Sequence, residues 1–213
     1  MNEDYRKIEL IMALRNQGIR DRKILEAIER TPREIFLGPP FQPMAYADQA
    51  LPIACGQTIS QPFVVAFMTD RLKLTDRCKV LEVGTGSGYQ AAILSPLCRR
   101  VYTIERYRTL ALEAGERFKT LGLHNVTQMV GDGTKGWPNQ APFDRIIVTA
   151  AAKEVPPALT EQLAVGGIMI IPLEDTPMNQ DLVRITRTEQ GYAQEDLLPV
   201  RFVPLVEGIA RES

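Results

Sequence analysis

The sequence is short of the residues from which many catalytic and structural devices are built. Its 213 residues include one histidine, one tryptophan and three cysteines. Cys55, Cys78 and Cys98 are widely spaced, odd in number and form no CxxC pair. That excludes a zinc site of the CxxC type and a disulfide framework, and no metal is expected. The three thiols are expected to be buried or half-buried in a reducing compartment. Apolar runs never approach the roughly eighteen residues that a membrane span requires. The N-terminus, Met1 to Lys7, opens acidic and charged with no apolar stretch behind it, unlike a signal peptide. An excess of one charge is also missing. With 25 Lys and Arg against 26 Asp and Glu, the net charge of -1 leaves no electrostatic footprint for nucleic acid or an anionic membrane. The expectation is a cytoplasmic monomer with no nucleic-acid or membrane partner. What is present is an apolar fraction of 45%, which in a chain of this length can bury a core without staples.

The first third reads as helical. Ile8, Leu10, Ile11 and Leu14 form an apolar face that ends at Gly18. Asp21 is a candidate N-cap for a second helix carrying Ile24, Leu25 and Ile28. Thr31-Pro32-Arg33-Glu34 predicts another helix start, with proline at the first helical position. Gly38 to Pro43 predicts a loop. From Lys79 the pattern alternates. Strands are predicted at Val80–Val83, Val101–Ile104, Val126–Val130, Arg145–Thr149, Ile168–Ile171 and Leu182–Thr186. Helices are predicted at Tyr89–Leu97, Tyr107–Leu121 and Pro156–Leu163, the last stopping before Gly166-Gly167. Strands separated by helix-length segments imply βαβ units and a doubly wound, mostly parallel α/β sheet. The chain is expected to be a single domain, 1–213. A helical N-terminal extension and substrate-loop region covers 1–78, and an α/β cofactor-binding core covers 79–213.

The most informative local feature is Glu82-Val83-Gly84-Thr85-Gly86-Ser87-Gly88 between a strand and a helix. Glycines there permit a sharp turn and close approach of a ligand to the main chain. The spacing is G-x-G-x-G rather than the G-x-G-x-x-G of dinucleotide folds, and Glu82 precedes it. A carboxylate repels a pyrophosphate and suits a cationic ligand such as S-adenosylmethionine. Glu105 ends the next strand, where a carboxylate can accept ribose hydroxyls. Asp132, in Gly131-Asp132-Gly133, has room to approach a base edge. Each acid also has a plainer reading, as a salt-bridge partner, a solvated strand end and a turn aspartate respectively. Their recurrence at successive strand ends carries the cofactor expectation.

With these residues in view, the chain resembles the protein-L-isoaspartate O-methyltransferase family. Gly56-Gln57-Thr58-Ile59-Ser60-Gln61-Pro62 is similar to the family's signature upstream of the cofactor loop, and Leu81 to Gln90 resembles that loop. Gly131-Asp132-Gly133, Ala141 to Asp144, Val148 to Ala151 and Arg201 to Leu205 match later blocks. The resemblance implies a Rossmann-like methyltransferase fold. It also implies methyl transfer from S-adenosylmethionine to the free α-carboxylate of L-isoaspartyl residues in damaged proteins and peptides, leaving S-adenosylhomocysteine. The methyl ester then closes to a succinimide, and hydrolysis returns part of it to aspartate.

By the same resemblance, cofactor binding falls to Gln57, Thr58, Ile59, Glu82, Gly84, Thr85, Gly86, Ser87, Gly88, Glu105, Asp132, Gly133 and Gln180. Substrate binding falls to Ile59, Ser60, Thr149 and Ala150. Ser60 is carried over as the active-site residue. With no base partner evident, it reads as a hydrogen-bond donor that orients the carboxylate, not as a nucleophile. On local sequence it reads equally as an N-cap for the helix after Pro62. Ala54 and Glu174 stand where the family often has glycine, and the second of these bears on the shape of the loop from Glu174 to Asn179. His124 reads as a surface turn residue, Trp137 as a cover for the core, and Glu195-Asp196 as solvated charge. The competing readings are an NAD-dependent oxidoreductase, a nucleic-acid or small-molecule methyltransferase, and a silent binding module. The first lacks the longer glycine spacing, and a nucleic-acid enzyme would show a basic face.

Overall fold

The computed structural model describes residues 3–176 and 179–212. Helix α1 (Glu3–Asn16) and helix α2 (Arg22–Arg30) open the chain. Asp21 caps α2 as expected, its Oδ1 accepting from the N–H groups of Lys23 at 2.8 Å and Ile24 at 3.4 Å. Thr31 does not cap a third helix. Its hydroxyl donates back to the Ala27 carbonyl at 2.7 Å, and only a 3-10 turn, Arg33–Phe36, follows. Burial of Phe36 and Leu37 directly ahead of Gly38-Pro39-Pro40 leaves that turn nowhere to extend. The segment expected as a loop is itself a 3-10 helix, Pro39–Met44. Prolines at its first positions lack only N–H groups that such a turn leaves unused.

A two-residue hairpin, β1 (Leu51–Pro52) and β2 (Thr58–Ile59), then leads into α3 (Pro62–Arg71). The core follows as β3 (Lys79–Val83), α4 (Tyr89–Leu94), β4 (Arg100–Glu105), α5 (Arg108–Thr120), β5 (Val126–Val130) and β6 (Phe143–Val148). It ends with α6 (Pro157–Gln162), β7 (Leu163–Thr176), β8 (Asn179–Thr188) and β9 (Gly191–Val200). The seven-stranded sheet has the order β5-β4-β3-β6-β7-β8-β9. Strands β3 to β7 are parallel, while β8 and β9 run antiparallel to their neighbours. The sheet is therefore mostly parallel and Rossmann-like, with an antiparallel pair of strands at one edge.

Helix α4 closes at Leu94, with Ser95–Leu97 a 3-10 turn, and three larger differences from the expected elements lie further along the chain. Helix α6 ends at Gln162, and β7 begins at Leu163, ahead of Gly166-Gly167. Strand β9 was not anticipated, because it lies at the sheet edge, largely exposed and without apolar alternation. The loop from Glu174 to Asn179 is largely strand: Glu174 to Thr176 belong to β7 and Asn179 begins β8, while residues 177 and 178 lie outside the described residues. On β9, Glu195 is half paired rather than simply solvated, meeting Arg184 of β8 at 2.6 Å.

Both faces of the sheet are covered, which is why its central strands read as apolar runs. Val80, Val101 and Ile147 meet Ala91 and Leu94 of α4 and Ala114 and Phe118 of α5. On the other face Leu81, Ile104, Ile146 and Val148 meet Leu159 of α6. The N-terminal helices pack Leu14, Ile24 and Ile28 against Tyr89, Ala92 and Ile93. All six residues of α4 are consequently buried, and the N-terminal segment and the sheet share this helix as core. Strand order reverses between β3 and β6, so a crevice is expected at their carboxyl ends.

Candidate active site

The crevice is there, and the glycine loop forms its floor. The turn leaving β3 is held by hydrogen bonds from the N–H groups of Gly84 and Thr85 to the Ile104 carbonyl, at 2.9 and 3.2 Å. Gly84 has φ +98°, and a Cβ there would lie 2.4 Å from Oγ1 of Thr149. That hydroxyl donates to the Gly84 carbonyl at 2.7 Å and ties the loop to the end of β6. Only glycine satisfies both the backbone angle and the close approach.

Glu105, at the end of β4 and 5% exposed, completes the turn. Its Oε2 accepts from the Gly86 N–H at 2.7 Å and its Oε1 from the Tyr107 N–H at 3.0 Å. Each carboxylate oxygen has a second lone pair, so the group can still accept from a ligand.

The cavity is open to solvent on one side and is lined from the hairpin, the glycine loop, the end of β4 and the end of β6. Its walls bring together twelve of the residues singled out from sequence: Gln57, Thr58, Ile59, Ser60, Gly84, Thr85, Gly86, Ser87, Glu105, Gly133, Thr149 and Ala150. Residues from the hairpin strand β2 thus face the loop after β3 across one space.

Four expected cofactor residues lie off the walls. Glu82 is wholly buried under the loop, where its Oε2 accepts from the Thr103 hydroxyl at 2.5 Å; that hydroxyl also meets Oγ1 of Thr85 at 2.6 Å. It supports the turn from beneath. Gly88 is turned toward α5, with Phe118 2.8 Å from where its Cβ would be. Asp132 caps its own turn, Oδ1 accepting from the N–H and hydroxyl of Thr134 at 3.0 and 2.7 Å, and so sets the position of Gly133. Burial raises its pKa, but the hydrogen bonds from Thr134 and Gly208 and the Lys135 charge outweigh that and hold it below the usual value. Gln180 uses both ends of its amide on the Phe202 backbone, at 2.7 and 3.2 Å. It positions the C-terminal segment instead of meeting the cofactor space.

Glu82 yields a pH prediction. Burial, reinforced by the Glu105 charge and only partly opposed by the Thr103 hydrogen bond, pushes its pKa up to about 8. The folded state therefore keeps a proton that the unfolded chain has lost between about pH 4.5 and about pH 8. This group's contribution to stability is complete below that window and declines as pH rises through it. Glu82→Gln should remove the decline. In urea titrations, the variant is expected to gain on the wild type across the window by up to roughly 4 kcal/mol, at about 1.4 kcal/mol per pH unit. A constant difference from pH 5 to pH 8 would show that Glu82 titrates normally.

Ser60 does not cap α3. The N-cap position is Gln61, with no side-chain cap of its own, and the Phe63 N–H donates to Oδ1 of Asp48 at 2.8 Å. The Ser60 hydroxyl lines the cavity and makes no hydrogen bond to the described residues. His124 is exposed in its turn and Trp137 packs edge-on against Tyr102, as expected of each.

Sequence reasoning gave no site role to Arg106 and Tyr107, which follow Glu105 into the wall, or to Val203 to Val206, although Arg201 to Leu205 match a family block. Adjacency to Glu105 was an available signal for the first pair. The C-terminal segment reaches the site through paired hydrogen bonds with Ala151, at 2.8 and 2.7 Å, which have no local sequence signature.

These walls fit an adenosyl sulfonium ligand. Glu105 offers acceptors for ribose hydroxyls, and Ile104 and Tyr107 offer apolar surface. Comparison with known proteins agrees. Residues 5–210 match the family model "Protein-L-isoaspartate(D-aspartate) O-methyltransferase". A protein-L-isoaspartate O-methyltransferase of Parvibaculum lavamentivorans is 63% identical over 99% of this chain and 96% of its own length. One of Rhodospirillum centenum is 58% identical over 100% and 97%. A solved Plasmodium falciparum structure, described as a candidate protein-L-isoaspartate O-methyltransferase in complex with S-adenosyl-L-homocysteine, is 27% identical. It superposes with a TM-score of 0.81 over 93% of this chain and 97% of its own. By its sheet order, its glycine loop and this match over nearly its whole length, the chain belongs to the protein-L-isoaspartate(D-aspartate) O-methyltransferase family.

Proposed function

We propose that this protein is a repair enzyme that transfers a methyl group from S-adenosylmethionine to the free α-carboxylate of L-isoaspartyl residues. The observation that carries this reading is the single cavity in which the Gln57 to Ser60 segment faces the glycine loop and Glu105. When bound, S-adenosylmethionine supplies an electrophilic methyl group on a cationic sulfur. An α-carboxylate is already ionised at neutral pH and needs no general base, in keeping with walls that carry no histidine. The protein's task is then alignment and exclusion of water, where positioning alone contributes roughly 7–11 kcal/mol. Ser60 donates to one carboxylate oxygen and leaves the other free to attack. Thr149 and Ala150 support the substrate backbone, while Gln57, Thr58 and Ile59 close the cofactor side. The three cysteines are free thiols, which supports action in a reducing cytoplasm. The near-neutral charge supports damaged proteins and peptides, not nucleic acid, as partners of a monomeric enzyme.

Paired peptides differing only in aspartate versus isoaspartate test the reading. Methyl transfer is expected to the isoaspartyl peptide alone, and equal transfer to both would overturn it. Ser60→Ala should lower kcat roughly 100-fold, the lower end of the cost of losing one oriented donor, with S-adenosylhomocysteine affinity nearly unchanged. Collapse of cofactor binding in this variant would show that Ser60 holds the cofactor instead.

A further inference from the structure

The mechanism above leaves unused a guanidinium sealed inside the N-terminal segment. Arg33 is 0% exposed and ends three separate stretches of chain. Its Nη1 donates to the Ala45 carbonyl, and its Nη2 donates to the carbonyls of Gln49 at 3.1 Å and Ser60 at 3.0 Å. Its guanidinium carbon lies 5.6 Å from the centroid of the Tyr89 ring, the first residue of α4 and part of the cavity wall. No carboxylate forms an ion pair with it among the described residues, so its hydrogen bonds go to neutral carbonyls. A buried charge held this way is a costly means of filling core volume, and an apolar side chain of similar size would fill it at less cost. What the guanidinium offers instead is a rigid planar fork that can hold several acceptors in fixed directions at once. Gln49 and Ser60 flank the β1–β2 hairpin that carries Gln57 to Ile59 into the wall.

A second group grips the same peptide from the other side. Asp48 accepts from the Phe63 N–H at 2.8 Å through Oδ1, and through Oδ2 from the side-chain amides of Gln61 at 3.1 Å and Gln17 at 3.0 Å. Ser60 therefore sits between two anchors, its carbonyl held by Arg33 and the residues after it by Asp48.

We propose that Arg33 and Asp48 are positioning residues for methyl transfer, a two-sided clamp that fixes the Ser60 peptide against the cofactor loop without touching substrate or cofactor. The inference rests on the role assigned to Ser60 in the proposed function. Small misplacement of an aligned group is enough to matter, since a shift of about 1 Å can lower a rate about 100-fold.

A double-mutant cycle tests it, with kcat measured on the isoaspartyl peptide at saturating S-adenosylmethionine and well below each variant's melting temperature. Arg33→Lys keeps the charge but loses the fork. It is expected to lower kcat about tenfold with S-adenosylhomocysteine affinity, by calorimetry, within about threefold of wild type. In a Ser60→Ala background the same substitution should cost less than about twofold, because residues that act as a unit are non-additive. Asp48→Asn, which keeps one acceptor oxygen, should repeat the pattern with a smaller loss and serves alone if Arg33→Lys does not fold. Equal fractional losses with and without the Ser60 hydroxyl would overturn the clamp, as would parallel loss of cofactor affinity. If the wild type itself transfers no methyl group selectively to isoaspartate, the functional reading fails, and the outcome is visible before the cycle begins.

Discussion

Glu105→Ala is expected to weaken S-adenosylhomocysteine binding by about 100-fold or more, because it removes two supports at once. Both oxygens of this carboxylate already accept backbone N–H groups, from Gly86 at 2.7 Å and Tyr107 at 3.0 Å. Hydrogen bonds to a charged group contribute about 1.5–3 kcal/mol each, and a factor of 100 in affinity corresponds to about 2.7 kcal/mol. Those two bonds are made with and without ligand, so their loss weakens binding by leaving the loop to be ordered on association, and the lost ribose acceptors add directly. Glu105→Gln should fare nearly as badly. An amide has one acceptor oxygen, so one N–H would face another donor. Isothermal calorimetry on both variants decides the matter. If glutamine restores affinity to within about threefold of wild type, the two-acceptor role is wrong.

Gly88→Ala should destabilise the fold more than Gly86→Ala, although Gly88 lies off the cavity wall. Its φ is +91°, and an added Cβ would lie 2.8 Å from Cε1 and 3.0 Å from Cζ of Phe118 and 3.2 Å from Cβ of Ala114. The left-handed backbone costs a side chain about 1–2 kcal/mol. Overpacking a filled core adds about 1–3 kcal/mol, and Phe118 is only 6% exposed. The sum, about 2–5 kcal/mol, should lower Tm by roughly 4–20 °C at about 2–4 °C per kcal/mol for a chain of this size. Pairing the change with Phe118→Leu should recover part of the loss, since the ring contact is relieved while the backbone strain stays. At Gly86 the nearest atom to an added Cβ is Cδ1 of Ile53, at 3.7 Å, so alanine there meets strain without a clash. A melt in which Gly86→Ala falls further than Gly88→Ala would contradict the packing argument.

Much of the site was legible in the sequence, and its errors have a common cause. Asp21 as a cap, the strands from β3 to β6 and the glycine loop are local patterns, in which the residues that signal the structure also form it. Glu82 lies beneath the loop and not on the cavity wall, because nearness to a strand end does not fix which way a side chain points. The register pairs Glu82 with Thr103, on the face covered by α4 and α5, and that sends the carboxyl beneath the loop. Gln180 is turned to the Phe202 backbone, a partner brought beside it only by the β8–β9 hairpin. Strand β9 was missed because an exposed edge carries no apolar alternation.

From its residues alone, this chain was bound to alternate strands with helices, to turn through glycine after β3, and to place an acid at the end of β4. Those outcomes depend on periodicity and backbone freedom within a few neighbouring residues. Folding alone decided that the hairpin bearing Ser60 would face that turn, that Val203 to Val206 would close a wall, and that Arg33 would reach carbonyls 12, 16 and 27 positions along the chain. Such contacts form between segments whose separate patterns say nothing of each other, and only the packing of helices on a sheet brings them within hydrogen-bond range.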